Sequence, residues 1–188
     1  MKWIVLAIAV FVALYTFLTL HYRKPGPGYL PYQDAKQRAQ LAELGYQRIT
    51  LRVDRPADPR PIVAEAPVQP AAGGLPADLL HTLLLPPLLP ATIGAVAAAP
   101  VADGGNYRIT FSCTRDDSHQ DLATAALYVK GGEIWVVTDC ELLSAGLVTR
   151  ARAEVIELSF AAGALAPGTY RVTLAGARAG RAWTVQVH

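Results

Sequence analysis

The densest group of ionisable and nucleophilic side chains lies in residues 113–121, which read CTRDDSHQD. Carboxylate oxygens and an imidazole nitrogen are common cation ligands. The candidates here are Asp116, Asp117, His119 and Asp121. Their spacing is not that of an EF-hand, and no H-x-x-x-H or C-x-x-C pair occurs in the sequence. Ser118 and His119 are adjacent, so they cannot build a nucleophile–base geometry alone. We interpret the stretch as a solvated loop between strands.

The rest of the sequence offers little further chemistry. Copper and haem sites typically use Met, a pair of His or a C-x-x-C-H motif. In this sequence Met1 is the only methionine, and the four histidines are far apart. His81, in an apolar run, is interpreted as structural. No glycine-rich phosphate loop follows a strand, and no dinucleotide fingerprint is present. We expect no catalytic, cofactor-binding or metal-binding residue, no cofactor and no enzymatic activity.

Two cysteines, Cys113 and Cys140, lie in strand-like surroundings. An even pair in a small exported β domain predicts a disulfide, which would stabilise the domain by ~3 kcal/mol in the chain-entropy model. The alternative is two reduced structural cysteines in a cytoplasmic domain.

Near the start of the sequence lies an apolar run, residues 3–20, which contains no charged residue, proline or glycine. As a helix it would rise about 27 Å, close to the ~30 Å hydrocarbon core of a bilayer. It predicts a single transmembrane anchor at residues 1–22, with the lipid bilayer as a partner. A cleaved signal peptide is the alternative, but residues 18–24 offer no small-x-small cleavage site.

Two arguments about membrane orientation disagree. Arg23, Lys24, Lys36 and Arg38 follow the run and favour a cytoplasmic C-terminal domain. The short N-terminal tail is typical of an uncleaved signal anchor, and the cysteine pair favours export. We favour a single-pass inner-membrane protein with a periplasmic C-terminal domain, and the cytoplasmic side stays the alternative.

Charge is unevenly spread along the chain, whose net charge is +2. Residues 21–60 hold eight Lys/Arg against four Asp/Glu, whereas residues 104–188 hold eight of each. A nucleic-acid binder needs a basic patch on its folded part. We therefore expect no nucleic-acid partner.

The middle of the chain divides into three segments. Residues 23–45 are a Pro/Gly-rich exit followed by a short helix that ends before Gly45. Residues 46–54 alternate apolar and polar side chains, which predicts a strand. Residues 55–103 form a Pro/Ala-rich apolar connector. Within it, Pro76 and Asp78 could start a short helix that Pro86 stops. The apolar run at 79–89 packs on the domain, covers a neighbouring subunit or, against its prolines, enters the membrane.

Residues 104–188 show short alternating segments at intervals of about ten residues, with glycine turns between them. This pattern predicts a β-sandwich. The strand candidates are residues 107–113, 125–129, 133–138, 153–160, 169–174 and 181–187. Gly131 and Gly132 predict a two-residue hairpin turn.

One motif in this domain resembles a known family. Leu165, Pro167, Gly168 and Tyr170 fit the L-x-P-G-x-Y form of the tyrosine corner found in immunoglobulin-like and fibronectin type III sandwiches. The resemblance implies that the Tyr170 hydroxyl bonds to nearby backbone. The chain departs from antibody domains because Val172 stands where they have Cys. The predicted fold class is thus an N-terminal transmembrane helix followed by an immunoglobulin-like β-sandwich.

Together these features predict a non-catalytic accessory or structural subunit of a larger membrane protein complex, such as a respiratory or photosynthetic assembly. Its sandwich and connector would pack on other integral membrane subunits. The alternative is a free-standing tethered module that binds a ligand or peptide outside the cytoplasm. Fold resemblance alone does not decide between them.

Overall fold

The computed structural model describes residues 2–21, 32–59, 61–83, 85–102, 105–143, 149 and 153–188. The chain divides into two compact units, Met1–Ala35 and Lys36–His188. The helices are α1 (Lys2–His21), α2 (Tyr32–Glu43) and α3 (Ala77–Thr82). The predicted Pro/Gly exit lies mostly outside the described residues.

Helix α1 covers the apolar run. Its described side chains are mostly exposed, and the Thr16 hydroxyl donates to the Val12 carbonyl at 2.8 Å. Among the described residues, no helix combines the length and the apolar character needed to cross a membrane. The predicted transmembrane helix, single-pass topology and inner-membrane location are therefore wrong.

Helix α2 begins at Tyr32 and ends at Glu43, and the sequence predicts a short helix that ends before Gly45. Gly45 has a φ of +79°, the left-handed conformation that closes many helices. The chain then turns back, and the Tyr46 amide donates to the Leu41 carbonyl at 2.8 Å.

Apart from a short 3-10 helix at Ala162–Ala164, the remaining elements are the strands of one 11-stranded sheet. They are β1 (Gln47–Thr50), β2 (Arg52–Asp54), β3 (Gln69–Ala72), β4 (Thr92–Ala98), β5 (Val101–Ala102), β6 (Asn106–Thr114), β7 (Gln120–Lys130), β8 (Glu133–Leu142), β9 (Ala153–Ala161), β10 (Gly168–Leu174) and β11 (Ala179–Val187). All six strands predicted after residue 104 are confirmed, each longer at one or both ends. The strand predicted at 46–54 is present as β1 and β2.

The sheet curls into a nearly closed barrel. Its order is β1-β7-β8-β10-β11-β4-β6-β9-β2, with β3 and β5 added beside β11. Strand β1 pairs with β7 at one edge, and β2 pairs with β9 at the other. Only the buried residue Leu51 separates β1 from β2, so one segment joins both edges of the sheet. A sandwich needs two separate sheets; the predicted immunoglobulin-like β-sandwich is therefore wrong.

The barrel wall also uses residues 55–103, where no strand was predicted. Strand β4 pairs with β6 along most of its length, and it meets β11 at Thr92. Strand β3 lies antiparallel beside β11, with Gln69 opposite Ala182. The segment interpreted as a connector thus supplies three strands of the sheet.

The barrel interior is apolar. Most strands of the sheet direct side chains inward, and the largest fully buried ones include Phe111, Ile109, Ile134, Ile156, Leu158 and Leu174. The two-residue turn between β7 and β8 is confirmed, because Lys130 pairs with Glu133 and Gly131 has a φ of +57°.

A second, smaller core lies outside the barrel. Helix α3 and residues at the end of α2 cover the outer face of β7 and β8; the buried members are Leu41, Tyr46, Leu79, Leu83, Ala126, Tyr128 and Val137. Further along, the Leu88 carbonyl accepts from the Cys140 amide at 2.9 Å. Of the three alternatives for the apolar run at 79–89, the described part follows the first and packs on its own domain. The predicted short helix is present as α3.

Candidate functional site

The structure shows how the charged residues of the 113–121 stretch are used. Arg115 is buried, with 2% of its side chain exposed, and its Nη1 lies 3.1 Å from Asp121 and 2.8 Å from Glu154. Asp121 also pairs with Arg55 at 3.0 Å. These four residues form what we call the polar cluster. It ties together the segments after β2 and β6 and the starts of β7 and β9.

The other candidates in this stretch have partners of their own. Asp117 lies 2.9 Å from Nδ1 of His119, and Asp116 pairs with Arg178. The Ser118 carbonyl accepts from Thr149. Within the described part of the chain, no group of three or more His, Cys, Asp or Glu is placed to hold a metal ion. The structure brings Asp121 into the polar cluster and does not bring the four candidate ligands together.

The two cysteines are free and buried, so the predicted disulfide is wrong. Cys113 is on β6 and Cys140 is on β8, and β10, β11 and β4 lie between these two strands in the sheet. Burial raises the pKa of Cys113 to about 12 and that of Cys140 to about 11. Since the thiolate is the nucleophile, these thiols are inert at neutral pH.

The tyrosine-corner residues lie at the start of β10. The Tyr170 hydroxyl donates to the Ala166 carbonyl at 2.9 Å, and both Tyr170 and Leu165 are buried in the main core. Pro167 and Gly168 lie between them. This bond is of the kind that the resemblance implies, while kinship with the sandwich families stays a prediction.

Another set of polar side chains, separate from the polar cluster, holds α3 to the hairpin of β7 and β8. Asp78 accepts from the Tyr46 hydroxyl at 3.0 Å and from Lys130 Nζ at 2.7 Å. The hydrogen bond from Lys130 lowers the pKa of Asp78, and burial followed by the bond to Asp78 raises the pKa of Tyr46 to about 12. These groups anchor a helix and are occupied by one another.

Among the described residues, the apolar core of the barrel encloses little space. The cavity there, lined by residues such as Tyr107, Leu127 and Val185, has a volume of about 10 Å³. That is about the space of a single water molecule.

A larger concavity of about 560 Å³ lies on the outside of the sheet, and we call it the outer groove. Its floor is formed by Glu133 and Trp135 of β8 and by Arg171 and Thr173 of β10. Residues 70–76 form its wall. The two floor strands are parallel, and their register places Arg171 beside Glu133 and Thr173 beside Trp135.

Glycines let the wall of the outer groove pass close to the barrel. A Cβ on Gly73 would stand 2.4 Å from the backbone of Arg178, so only glycine fits there. Gly74 has a φ of +89°, and its amide donates to the Gly176 carbonyl at 2.9 Å. The wall is thereby fixed to the loop before β11, and the chain continues into α3.

The charges in the outer groove differ from those of the polar cluster. Arg171 and Glu133 are exposed, and within the described residues neither has an ion-pair partner within 4 Å. A second hollow of about 290 Å³, lined by Pro67, Gln69 and Thr184 among others, also contacts Arg171. Arg171 therefore lies where the two hollows meet.

Sequence reasoning placed Arg171 and Thr173 within the predicted strand at 169–174 but did not connect them with a site. The signal that could have found them is the alternation of β8 and β10, which directs a tryptophan, an arginine and a glutamate outward on neighbouring strands. The wall could not be found in this way, because residues 70–76 were interpreted as connector.

Comparison with known proteins adds no relative to this description. No protein-family model matches the chain, and neither the curated proteins nor the solved structures give a significant match.

Proposed function

We propose that the Lys36–His188 unit is a non-catalytic protein-binding module, an accessory part of a larger protein assembly, and that it contacts its partner through the outer groove. The observation that carries the proposal is the placement of open space. About 560 Å³ lies outside the sheet, against about 10 Å³ in the apolar interior. Binding sites of ~300–1,000 Å³ with a few placed polar groups are typical of proteins.

The composition of the outer groove supports a protein partner. Trp and Arg are the residues most enriched among those that dominate the binding energy of protein interfaces. Trp135 is half-buried and packs against the second core, and Arg171 is exposed on the neighbouring strand. A fixed aromatic ring costs little conformational entropy when a partner covers it.

The non-catalytic part of the proposal is supported by how the reactive groups are used. The thiols are protonated in the core, and Asp121 and Glu154 are occupied by Arg115. A general base needs a free basic atom within reach of a substrate. Among the residues that line the outer groove, Glu133 is the one that carries a carboxylate.

The proposal is tested on the full chain in its native cells, with one variant that fills the outer groove. Ala72 is exposed and lines the groove, so Ala72→Trp should occupy part of it. The matched control is Ala161→Trp, because Ala161 is also exposed at the end of a strand but lies outside the groove. We expect a partner, identified by mass spectrometry, to co-purify with the wild type and the control and to be lost from Ala72→Trp.

Two results would contradict this function. In the first, the native chain migrates alone as a monomer in gentle extracts. In the second, a partner is retained equally by both tryptophan variants while circular dichroism shows that both are folded.

A further inference from the structure

The position of Arg171 indicates what kind of segment the outer groove receives. Arg171 contacts both the 560 Å³ and the 290 Å³ hollows and is exposed to each. Its planar guanidinium offers paired donors that match a carboxylate. Because no described acidic group pairs with it, a carboxylate brought by a partner would fill an open position.

We propose that the outer groove binds an extended segment of the partner protein in which one acidic side chain pairs with Arg171 and an apolar side chain two residues away packs on Trp135. This inference rests on the proposed function and adds the chemistry of the bound segment.

The two-residue spacing follows from the sheet register. Arg171 lies beside Glu133 and Thr173 lies beside Trp135, so the two rows are two residues apart along β8 and β10. That separation is about 6.6 Å at ~3.3 Å per residue. In an extended segment that follows these strands, side chains at i and i+2 point to the same face with the same spacing. An acid over Arg171 therefore places the residue two positions away in the row of Thr173 and Trp135. An apolar side chain there reaches the indole across the ~4.8 Å that separates the two strands.

The wall of the outer groove favours an extended occupant. Residues 67–76 include Pro67, Pro70 and Pro76, which hold the wall itself in an extended path beside β11. Because this wall is already ordered before a segment binds, binding costs less conformational entropy.

Glu133 restricts the number of acids that the segment can carry. It lies in the same row as Arg171, so the groove holds one cation and one anion. A run of acidic residues, or a polyanion such as a nucleic acid, would bring negative charge against Glu133. Like charges that meet in an interface disfavour the wrong partner. The segment is therefore expected to carry one acid within an otherwise apolar or neutral stretch.

The test uses the full chain and a phage-displayed library of random octapeptides. We expect the selected peptides to share one Asp or Glu with an apolar residue two positions away. A synthetic, fluorescein-labelled peptide of the winning sequence should bind at least about tenfold more weakly to Arg171→Glu, a loss of about 1.4 kcal/mol. Selection on Arg171→Glu should instead enrich Lys or Arg at that position. The matched control is Arg48→Glu, an exposed strand arginine outside the groove.

The outcomes separate this inference from the proposed function. Peptides that are lost with Ala72→Trp but carry no shared acid, or that bind Arg171→Glu undiminished, overturn the inference and leave the function standing. If Ala72→Trp does not weaken the binding of any selected peptide, both fail. Concentration-dependent dimers that Ala72→Trp abolishes in sedimentation experiments would show that the occupant is a second copy, which also overturns the inference.

Discussion

The polar cluster and the outer groove are each organised around one arginine, and the two arginines are used in opposite ways. Arg115 has 2% of its side chain exposed and lies within 3.1 Å of two carboxylates. Arg171 is exposed and has no ion pair among the described residues. The cluster contains the charge-rich stretch that stands out in the sequence. The groove contains an arginine that does not stand out.

The difference shows that charge density along a sequence is a poor guide to a site in this protein. A charge can be buried only if partners offset the cost of removing it from water. The aspartates around Arg115 are explained by that need. A charge left exposed beside a tryptophan on a concave surface has no such structural use, and it is the better candidate for contact with another molecule.

The largest expected effect comes from Arg115→Met. Removing the guanidinium takes away the described partner of Glu154, which is 19% exposed, and leaves Asp121, which is 25% exposed, with Arg55 alone. The free energy of unfolding should therefore fall by about 3–5 kcal/mol. Urea titration followed by far-ultraviolet circular dichroism measures it. The control is Arg178→Met, whose pair with Asp116 is exposed and should contribute about 0–1 kcal/mol.

A second variant separates charge from packing in this cluster. Adding Asp121→Asn and Glu154→Gln to Arg115→Met removes the two carboxylates that contact the guanidinium in the wild type. The triple variant should therefore recover part of the lost free energy of unfolding. If Arg115→Met is as stable as the wild type, the contrast between the two arginines does not hold.

The buried thiols give a smaller effect that depends on pH. Burial raises the pKa of Cys113 and Cys140 above the ordinary value of 9.0, so the folded protein holds these protons more tightly than the unfolded chain. Their contribution to stability is complete below pH 9 and is lost as pH rises toward 11–12. Between pH 8 and 9.5 the free energy of unfolding should fall by about 1–2 kcal/mol from this source.

The measurement is a set of urea titrations across this pH range for the wild type and for the double variant Cys113→Ala/Cys140→Ala. The double variant lacks both thiols, so its stability should fall less steeply with pH. Equal slopes in the two proteins would mean that the cysteine end of the barrel is open to water, unlike the interior described above.

The local alternation of apolar and polar residues predicts most strands of the barrel, but it does not predict β4. The strands of residues 169–174 and 181–187 alternate cleanly and are present. Strand β4 does not alternate, because a bulge shifts its register between Ile93 and Val96. A Cβ on Gly94 would stand 2.5 Å from the Ser112 hydroxyl, so a larger residue there would force that side chain to move. A glycine and several alanines in an irregular strand look like linker composition.

Closure of the barrel lies beyond local pattern for a different reason. The alternation of Ile49, Leu51 and Val53 predicts a strand with one buried face, but it does not say which strands lie on either side. The pairing of β1 with β7 and β2 with β9 joins residues far apart in sequence. The same long-range pairing places Cys113 and Cys140 on strands that are not neighbours and brings residues 70–76 beside Trp135 and Arg171.

The smallest expected effect is the effect of Arg171→Ala on stability. The side chain is exposed and has no described ion pair, so the free energy of unfolding should change by no more than about 0.5 kcal/mol. Urea titration of this variant beside Arg115→Met compares the two arginines directly. A loss of several kcal/mol would mean that Arg171 supports the barrel and is not held ready for a partner. If stability is unchanged while the selected peptides bind more weakly, the same side chain is assigned to recognition, because folding has then been shown not to need it.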